Sequence, residues 1–245
     1  MKNSEICVVI PTYNNERTLA TVIDVVLQYM PHVVVVNDGS TDCTNEILYK
    51  YKEKIKIVSY STNRGKGFAL KCGFDYAKVK GFKYVLTFDA DGQHYSNDIP
   101  RFVEASKKYP TAMIVGNRNL NQDNMPKKNT FANKFSNFWF ALQTGTKLPD
   151  TQTGFRLYPI EKMKHLKPFT NRYEAELEML VRCAWRGIKI VSIPIQVHYA
   201  PEGERVSHFR PGVDFFRISL LNTIFVFLAV VYGYPSKFLR YILKK

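Results

Sequence analysis

Hydrophobic runs alternate with amphipathic stretches through the first half of the chain. Short apolar runs that are rich in β-branched and aromatic residues and closed by polar residues are typical of buried strands. They occupy residues 6–10, 33–36, 55–60, 84–88 and 112–115. Between them, apolar residues recur at helical spacing over 18–29, 41–51, 65–79 and 98–108. This alternation predicts a parallel sheet with helices on both faces, so we expect residues 1–116 to be a doubly wound, nucleotide-binding half.

The second half of the chain has a less regular pattern. It begins with a long polar connection at residues 116–129. Helices are predicted over 130–143 and 173–186, strands over 155–158 and 189–197, and a polar stretch over 200–212. An apolar helix over 213–232 and a basic tail at 237–245 close the sequence. We therefore expect a catalytic domain at 1–212, with its acceptor half at 117–212, and a separate helix and tail at 213–245.

Polar residues stand at the carboxyl ends of three predicted strands. They form the segments 11–14 and 37–40 and the pair Asp89 and Asp91. In open α/β sheets this edge is where ligands bind. Two carboxylates this close repel each other unless a cation lies beside them, and Mg²⁺ or Mn²⁺ can share oxygen ligands with a substrate's phosphates. Taken alone, the triplet is also typical of a plain polar turn.

Composition and charge narrow the classes of partner. The 245 residues are 45% hydrophobic and 23% charged, as in a folded globular chain. The formal net charge of +14 favours polyanionic partners, namely phosphorylated substrates, anionic lipid or nucleic acid. The basic residues are scattered and form no stripe, so we predict no nucleic-acid partner. The four cysteines form no close pair, so the sequence predicts no zinc site and favours a reducing compartment. Residues 1–5 lack the apolar region of a signal peptide.

Five motifs occur in an order that carries a resemblance. They are Ile-Pro-Thr-Tyr-Asn at 10–14, Val-Asn-Asp-Gly-Ser-Thr-Asp at 36–42, Asn-Arg-Gly-Lys-Gly-Phe-Ala at 63–69, Asp-Ala-Asp-Gly-Gln-His at 89–94 and Gly-Asn-Arg at 116–118. In this order the chain resembles the family-two inverting glycosyltransferases, especially dolichyl-phosphate mannosyltransferases and bacterial polyprenyl-phosphate glycosyltransferases. The segments 150–156 and 174–176 fit that subgroup. The resemblance implies an α/β, GT-A-like fold with one Rossmann-type, mostly parallel sheet flanked by helices, and a C-terminal apolar helix.

The resemblance also implies a nucleotide-sugar site. Its residues would be Pro11, Tyr13, Glu16, Asp38, Lys66, Asp89, Ala90, Asp91 and Gln93. Asp38 would read the base or ribose, although it also suits a helix-capping turn. Asp89 and Asp91 would hold Mg²⁺ or Mn²⁺, with Gln93 as a further ligand or donor. Lys66 would lie near the sugar nucleotide, or be solvated in a glycine turn. The family often has Glu directly after Tyr-Asn, whereas here Asn15 stands there and the carboxylate is Glu16.

The acceptor side follows from the later motifs. Asp91, Asp150 and Arg118 are the expected catalytic residues, and Arg118 would bind a phosphate together with Arg205 and His208. Asp150 would act as a general base towards a hydroxyl acceptor, or would orient groups if the acceptor is a lipid phosphate. His208 stands where such enzymes often carry a lysine, and a solvated basic loop is the alternative for this segment. Of Glu174 and Glu176, which do not share a helix face, we expect one at the site and one in solvent. His94 is expected to be a turn residue.

The run 218–234 is 17 residues long, slightly short of the roughly 20 needed to span a bilayer, and is flanked by cations. This favours an anchor on the surface of anionic lipid; a buried helix or an oligomer contact are the alternatives.

Taken together, the motifs and this helix predict a metal-dependent inverting transferase that moves a sugar from a nucleoside-diphosphate sugar to polyprenyl phosphate, at the cytoplasmic face of a membrane. Alternatives are a transferase of glycan or lipopolysaccharide synthesis with a hydroxyl acceptor, and a non-catalytic nucleotide-sugar-binding protein. The sequence does not indicate the oligomeric state.

Overall fold

The computed structural model of the chain describes residues 5–118, 127–164, 166, 168–198 and 210–243. Seven strands form one sheet in the order β3-β2-β1-β4-β6-β5-β7. The strands are β1 Ile6–Thr12, β2 Val33–Asp38, β3 Lys56–Tyr60, β4 Tyr84–Thr87, β5 Met113–Arg118, β6 Arg156–Pro159 and β7 Ile190–Ile195. The helices are α1 Leu19–Leu27, α2 Thr44–Lys50, α3 Lys66–Val79, α4 Ile99–Lys108, α5 Lys127–Thr144, α6 Glu174–Trp185, α7 Pro211–Leu228 and α8 Tyr234–Ile242.

One strand from the second half of the chain enters the sheet of the first half. β6 is antiparallel to both of its neighbours, and Leu157 of β6 lies between Leu86 of β4 and Ile114 of β5. The remaining strand pairs are parallel. The sheet is therefore mostly parallel, as predicted, and β6 separates β4 from β5, the strands predicted at 84–88 and 112–115. The two expected halves are joined through this shared sheet.

The buried core lies on both faces of the sheet. One face, including Val8, Leu86 and Phe88, packs against α1 and α4, and the other packs against α3. A further cluster joins α5, α6 and α7 beside β5. The prediction that every strand of the first half is fully buried is wrong for β3, in which Lys56 and Ser59 are exposed. β3 lies at the end of the sheet, so it has a neighbouring strand on one side only.

The C-terminal helix is longer than the apolar run that predicts it. α7 continues through a π-helical segment, Ala229–Gly233, into α8. Within the described residues, one helix, the 31-residue Gly212–Ile242, is long and apolar enough to cross a membrane by length and composition alone. One stripe of it, including Leu221, Phe225 and Ala229, packs on the core. The remaining side chains of this helix are largely exposed.

Candidate functional site

The carboxyl ends of β1, β2 and β4 lie side by side along one edge of the sheet. Thr12 at the end of β1 is in register with Asn37 of β2. The amide N–H of Asn14 donates to Ser40 Oγ at 3.0 Å, and Thr18 Oγ1 donates to the carbonyl oxygen of Ala90 at 2.6 Å. The three polar segments that the sequence places at strand ends are therefore brought together.

The residues expected beside the nucleotide line this edge. Pro11 is buried, Tyr13 is half-buried, and Glu16 is exposed. Glu16 Oε2 accepts a hydrogen bond from the amide of Cys43 at 3.0 Å, so this carboxylate bridges the first and second loops. A direct contact of these three residues with a nucleotide stays a prediction.

Asp38 uses both of its carboxylate oxygens to hold the turn before α3. Oδ1 accepts from the amide of Arg64 and Oδ2 from the amide of Gly65, each at 2.8 Å. Gly65 has φ +99°, and a Cβ there would lie 2.6 Å from the carbonyl oxygen of Asn171, so only glycine fits without strain. Asp38 therefore positions the first residue of α3, which is Lys66. At α2 the N-cap position is Cys43, and Asp42, one residue earlier, accepts the amide N–H of Thr44 through Oδ1 at 3.0 Å.

Lys66 is largely buried between two carboxylates. Its Nζ lies 2.7 Å from Asp89 Oδ1 and 2.9 Å from Glu176 Oε2. Burial alone lowers the pKa of Lys66, but the charges of Asp89 and Glu176 outweigh burial and hold the pKa above its usual range. For Asp89, burial alone raises the pKa, but the charge and hydrogen bond of Lys66 together with the contact of His94 outweigh burial and lower the pKa. The alternative of a solvated lysine in a glycine turn is therefore wrong.

Among the described residues, no cationic side chain forms an ion pair with Asp91. Its Oδ1 accepts the amide N–H of Gln93 at 3.0 Å. Burial and, after it, the charge of Asp89 raise the pKa of Asp91, so its charged form is under-compensated in the fold. His94, expected as a turn residue, has a largely buried side chain, and its Nε2 lies 3.6 Å from Asp89 Oδ2.

The donor set fits a hard divalent cation. Mg²⁺ is commonly held by one or two carboxylates together with substrate phosphates and water, and it takes oxygen ligands, as Asp89 and Asp91 would supply. The under-compensated charge of Asp91 is the electrostatic condition that a cation would relieve. Across the described residues there is no group of three or more His, Cys, Asp or Glu side chains that could hold a metal without such additional ligands.

A second ion pair lies at the end of β5. Asp150, whose side chain is 0% exposed, accepts from Arg118 Nε at 2.7 Å and from Arg118 Nη2 at 2.9 Å. It also accepts from Asn133 Nδ2 at 2.6 Å and from the amides of Gln152 and Arg118 at 3.0 and 3.2 Å. Burial alone raises the pKa of Asp150, but these partners, Arg118 first, outweigh it and lower the pKa. We call the Arg118–Asp150 pair the clamp.

Comparison with known proteins identifies the family of the chain. Residues 7–166 match the family described as Glycosyl transferase family 2. The chain belongs to glycosyltransferase family 2. Uncharacterized protein MJ1222 of Methanocaldococcus jannaschii is 32% identical over 205 residues, which is 81% of this chain and 84% of that one.

Two further relatives of this glycosyltransferase are named for the reactions that they catalyse. The UDP-N-acetylglucosamine–dolichyl-phosphate N-acetylglucosaminyltransferase of Methanococcus voltae is 27% identical over 220 residues, covering 81% of this chain and 88% of the relative. The polyprenol monophosphomannose synthase of Mycolicibacterium smegmatis is 26% identical over 200 residues, covering 77% and 75%.

A solved structure confirms the predicted fold of the glycosyltransferase. Glucosyl-3-phosphoglycerate synthase from Mycobacterium tuberculosis, in complex with Mn²⁺, UDP-glucose and phosphoglyceric acid, superposes with a TM-score of 0.65. The alignment covers 91% of this chain and 79% of the synthase at 19% identity. The chain thus has the GT-A fold, with a mostly parallel sheet flanked by helices and one long apolar C-terminal helix.

Two residues that position the candidate site are not predicted from the sequence. Arg156 of β6 is fully buried, and its guanidinium donates to the carbonyls of Thr153, Glu176 and Thr151 at 2.7, 2.7 and 2.8 Å. It therefore ties the loop after Asp150 to the start of α6. The available signal is a charged residue inside an otherwise apolar strand. Gly154 is the second residue, and it lies against Asp89.

Other expectations concern α6 and the segment before α7. Glu176 reaches the site through Lys66, as expected for one of the two glutamates. The expectation that the other glutamate is solvated is wrong, because Glu174 is buried and pairs with Arg217 Nη2 at 2.9 Å. Arg205 and His208 lie outside the described residues, so their contacts with phosphate stay predictions.

Replacing Gly154 with alanine is expected to lower the rate of sugar transfer about 100-fold, because a misplacement of about 1 Å at a site can cost that much. A Cβ at this position would lie 2.3 Å from Asp89 Oδ2, so the carboxylate must move. Gly212→Ala is the matched control, since a Cβ there would have no atom of the described residues within 4 Å. The measurement is kcat together with the melting temperature, and equal rates for the two variants would contradict the prediction.

Proposed function

We propose that this glycosyltransferase is an inverting, metal-dependent enzyme that moves a sugar from a nucleoside-diphosphate sugar to a polyprenyl phosphate. The observation that carries the proposal is the state of Asp150. Its oxygens accept five hydrogen bonds and its side chain is not exposed, so it is poorly placed to remove a proton. A hydroxyl acceptor needs such a base, whereas a lipid phosphate arrives as an anion.

On the donor side, the strand-end residues would bind the sugar nucleotide. Asp89 and Asp91 would hold Mg²⁺ or Mn²⁺, which would neutralise charge on the departing nucleoside diphosphate. Asp38 and Gly65 orient the start of α3, so that Lys66 stays beside Asp89. Support comes from the solved synthase, which contains Mn²⁺ and UDP-glucose.

On the acceptor side, Arg118 would bind the phosphate of the lipid. Asp150 holds its guanidinium from one side by two hydrogen bonds, and this fixes the plane of the group. Charge-assisted hydrogen bonds from a preoriented guanidinium suit a phosphate better than a neutral hydroxyl. The Methanococcus and Mycolicibacterium relatives, whose names include dolichyl phosphate and polyprenol, support this acceptor class.

We also propose attachment to the cytoplasmic face of a membrane through residues 213–245. The long apolar helix and its exposed side chains support it. The named relatives transfer different sugars, mannose in one case and N-acetylglucosamine in another. The mannosyl activity implied by the resemblance is therefore one of several sugars to test.

The test is incubation of the protein with membranes and a panel of labelled nucleoside-diphosphate sugars, with and without EDTA, followed by solvent partition. We expect label from one donor in the organic phase, loss of that label with EDTA, and its return with excess Mg²⁺ or Mn²⁺. Label in a water-soluble or lipopolysaccharide product would instead support a hydroxyl acceptor. Donor binding without turnover of any sugar would support a non-catalytic binding protein.

A further inference from the structure

The outer face of α5 carries a stripe of exposed apolar side chains. Phe131, Phe138 and Leu142 recur at spacings of seven and four residues and are 73, 60 and 44% exposed. The opposite face, including Phe140 and Gln143, is buried in the core. Phe135 stacks on Phe215 of α7 at a centroid distance of 6.1 Å, so the stripe is continuous with the exposed side of the C-terminal helix. Soluble monomers rarely expose apolar surface of this extent without a partner.

The charged residues of these helices are almost all basic. Residues 127–144 contain three lysines and no acidic residue. Residues 210–245 add further cations, namely Arg210, Arg217, Lys237, Arg240, Lys244 and Lys245. Asp214 is the one acid among them; it is buried, and its Oδ2 accepts the amide N–H of Arg210 at 2.8 Å. Arg210 and Arg217 are paired with Asp214 and Glu174, and the remaining cations leave these helices with a net positive charge. An exposed apolar surface on positively charged helices is complementary to an anionic lipid bilayer.

We infer that α5 is a second membrane-contacting element, which lies on anionic lipid beside α7 and α8. We call the exposed sides of these three helices the lipid-facing surface. A second copy of the chain suits this surface less well, because a symmetric pair would bring the same cationic surface against itself. The inference goes beyond the proposed anchor, which involves residues 213–245 alone.

The inner side of α5 holds the clamp. Asn133 Nδ2 donates to Asp150 Oδ1 at 2.6 Å, and Asn137 Oδ1 accepts from the amide of Thr151 at 3.0 Å. The proposed lipid contact and the clamp thus lie on opposite sides of α5. They are separated by about 10 Å, which is the diameter of a helix with its side chains. This inference rests on the proposed function for one point, the role of the clamp in holding a lipid phosphate. Contact of α5 with lipid would bring the clamp to the depth of the headgroups, where that phosphate lies.

The test is sedimentation of the full-length protein with vesicles of phosphatidylcholine alone or with 30% phosphatidylglycerol, a composition on the order of that of an anionic membrane surface. The double variant Phe131→Ser/Phe138→Ser is expected to partition roughly 10- to 100-fold less onto anionic vesicles than the unchanged protein. The matched control is Tyr49→Ser/Val79→Ser, whose side chains are 67 and 83% exposed on other helices. We expect the control to bind as the unchanged protein does.

A second readout separates this inference from the proposed function. Transfer to a short-chain, water-soluble polyprenyl phosphate should be equal in the double variant and the unchanged protein, whereas transfer to a long-chain acceptor in vesicles should fall. Absence of transfer to either acceptor in the unchanged protein would refute the proposed function and leave the vesicle result standing. Equal vesicle binding by the double variant and the control would overturn the inference. So would a dimer in solution that the double variant converts to a monomer, because a second copy would then be the occupant.

Discussion

Replacing Asp91 with asparagine is expected to lower sugar transfer about 1,000-fold while making the metal-free fold more stable. One charge–charge contact at 4 Å is worth about 4 kcal/mol at an effective dielectric near 20, and that energy corresponds to about three orders of magnitude in rate. The variant keeps the shape of the side chain and removes half of the carboxylate pair proposed to hold the cation. The loss should therefore appear in kcat and in the affinity for Mn²⁺, measured by electron paramagnetic resonance.

The expected gain in stability comes from the removal of a buried charge. Burial and the charge of Asp89 raise the pKa of Asp91, which means that folding disfavours its charged form. A carboxyl group whose pKa is raised by folding costs stability at every pH above its ordinary pKa, and neutral pH lies well above it. Asparagine carries no such cost, so the melting temperature in EDTA should rise by a few degrees.

The control for Asp91→Asn is Asp24→Asn, at an exposed position of α1. It should change neither the transfer rate nor the melting temperature. A fall in the melting temperature of Asp91→Asn in EDTA would mean that the charge of Asp91 is compensated in the fold. A normal transfer rate would remove Asp91 from the proposed metal site.

Most strands and helices of the fold could be predicted from the sequence, because periodicity is a local property. The strand over residues 84–88 and the helix over 65–79 are examples, and the structure places β4 and α3 there. The position of β6 could not be predicted. Leu157 reaches Leu86 and Ile114 from opposite sides, and neither pairing leaves a mark in the local pattern.

The candidate site, too, could be predicted only in part from the sequence. Strand-end polar residues such as Asp38 and Asp89 could be located, because the carboxyl edge of a parallel sheet gathers them. Their partners could not, because each is far away in sequence. Lys66 meets Glu176, and Asp89 meets Gly154, through the packing of α3, α6 and the loop before β6. The burial of Asp150, on which the proposed acceptor class rests, is likewise a product of packing.

Replacing Arg118 with methionine is expected to lower the transfer rate at least about 1,000-fold, and to lower the free energy of unfolding by about 3–5 kcal/mol. The destabilisation follows because Asp150 would remain buried without its ionic partner. Lys83→Met is the control, because the Lys83–Glu5 pair lies at the surface, where solvent screens it, so its loss should leave the stability nearly unchanged. Chemical denaturation measures the stability, and the solvent-partition assay measures the transfer.

The double variant Arg118→Met/Asp150→Asn separates stability from function. With both charges removed, no unpaired carboxylate stays buried, so we expect it to regain at least half of the lost free energy of unfolding. Transfer should stay lost if Arg118 binds the acceptor phosphate. A double variant that recovers both stability and transfer would show that the clamp serves the fold alone. Arg118→Lys completes the argument: it keeps the charge but loses the two-pronged geometry, so the KM for polyprenyl phosphate should rise while the KM for the sugar nucleotide does not.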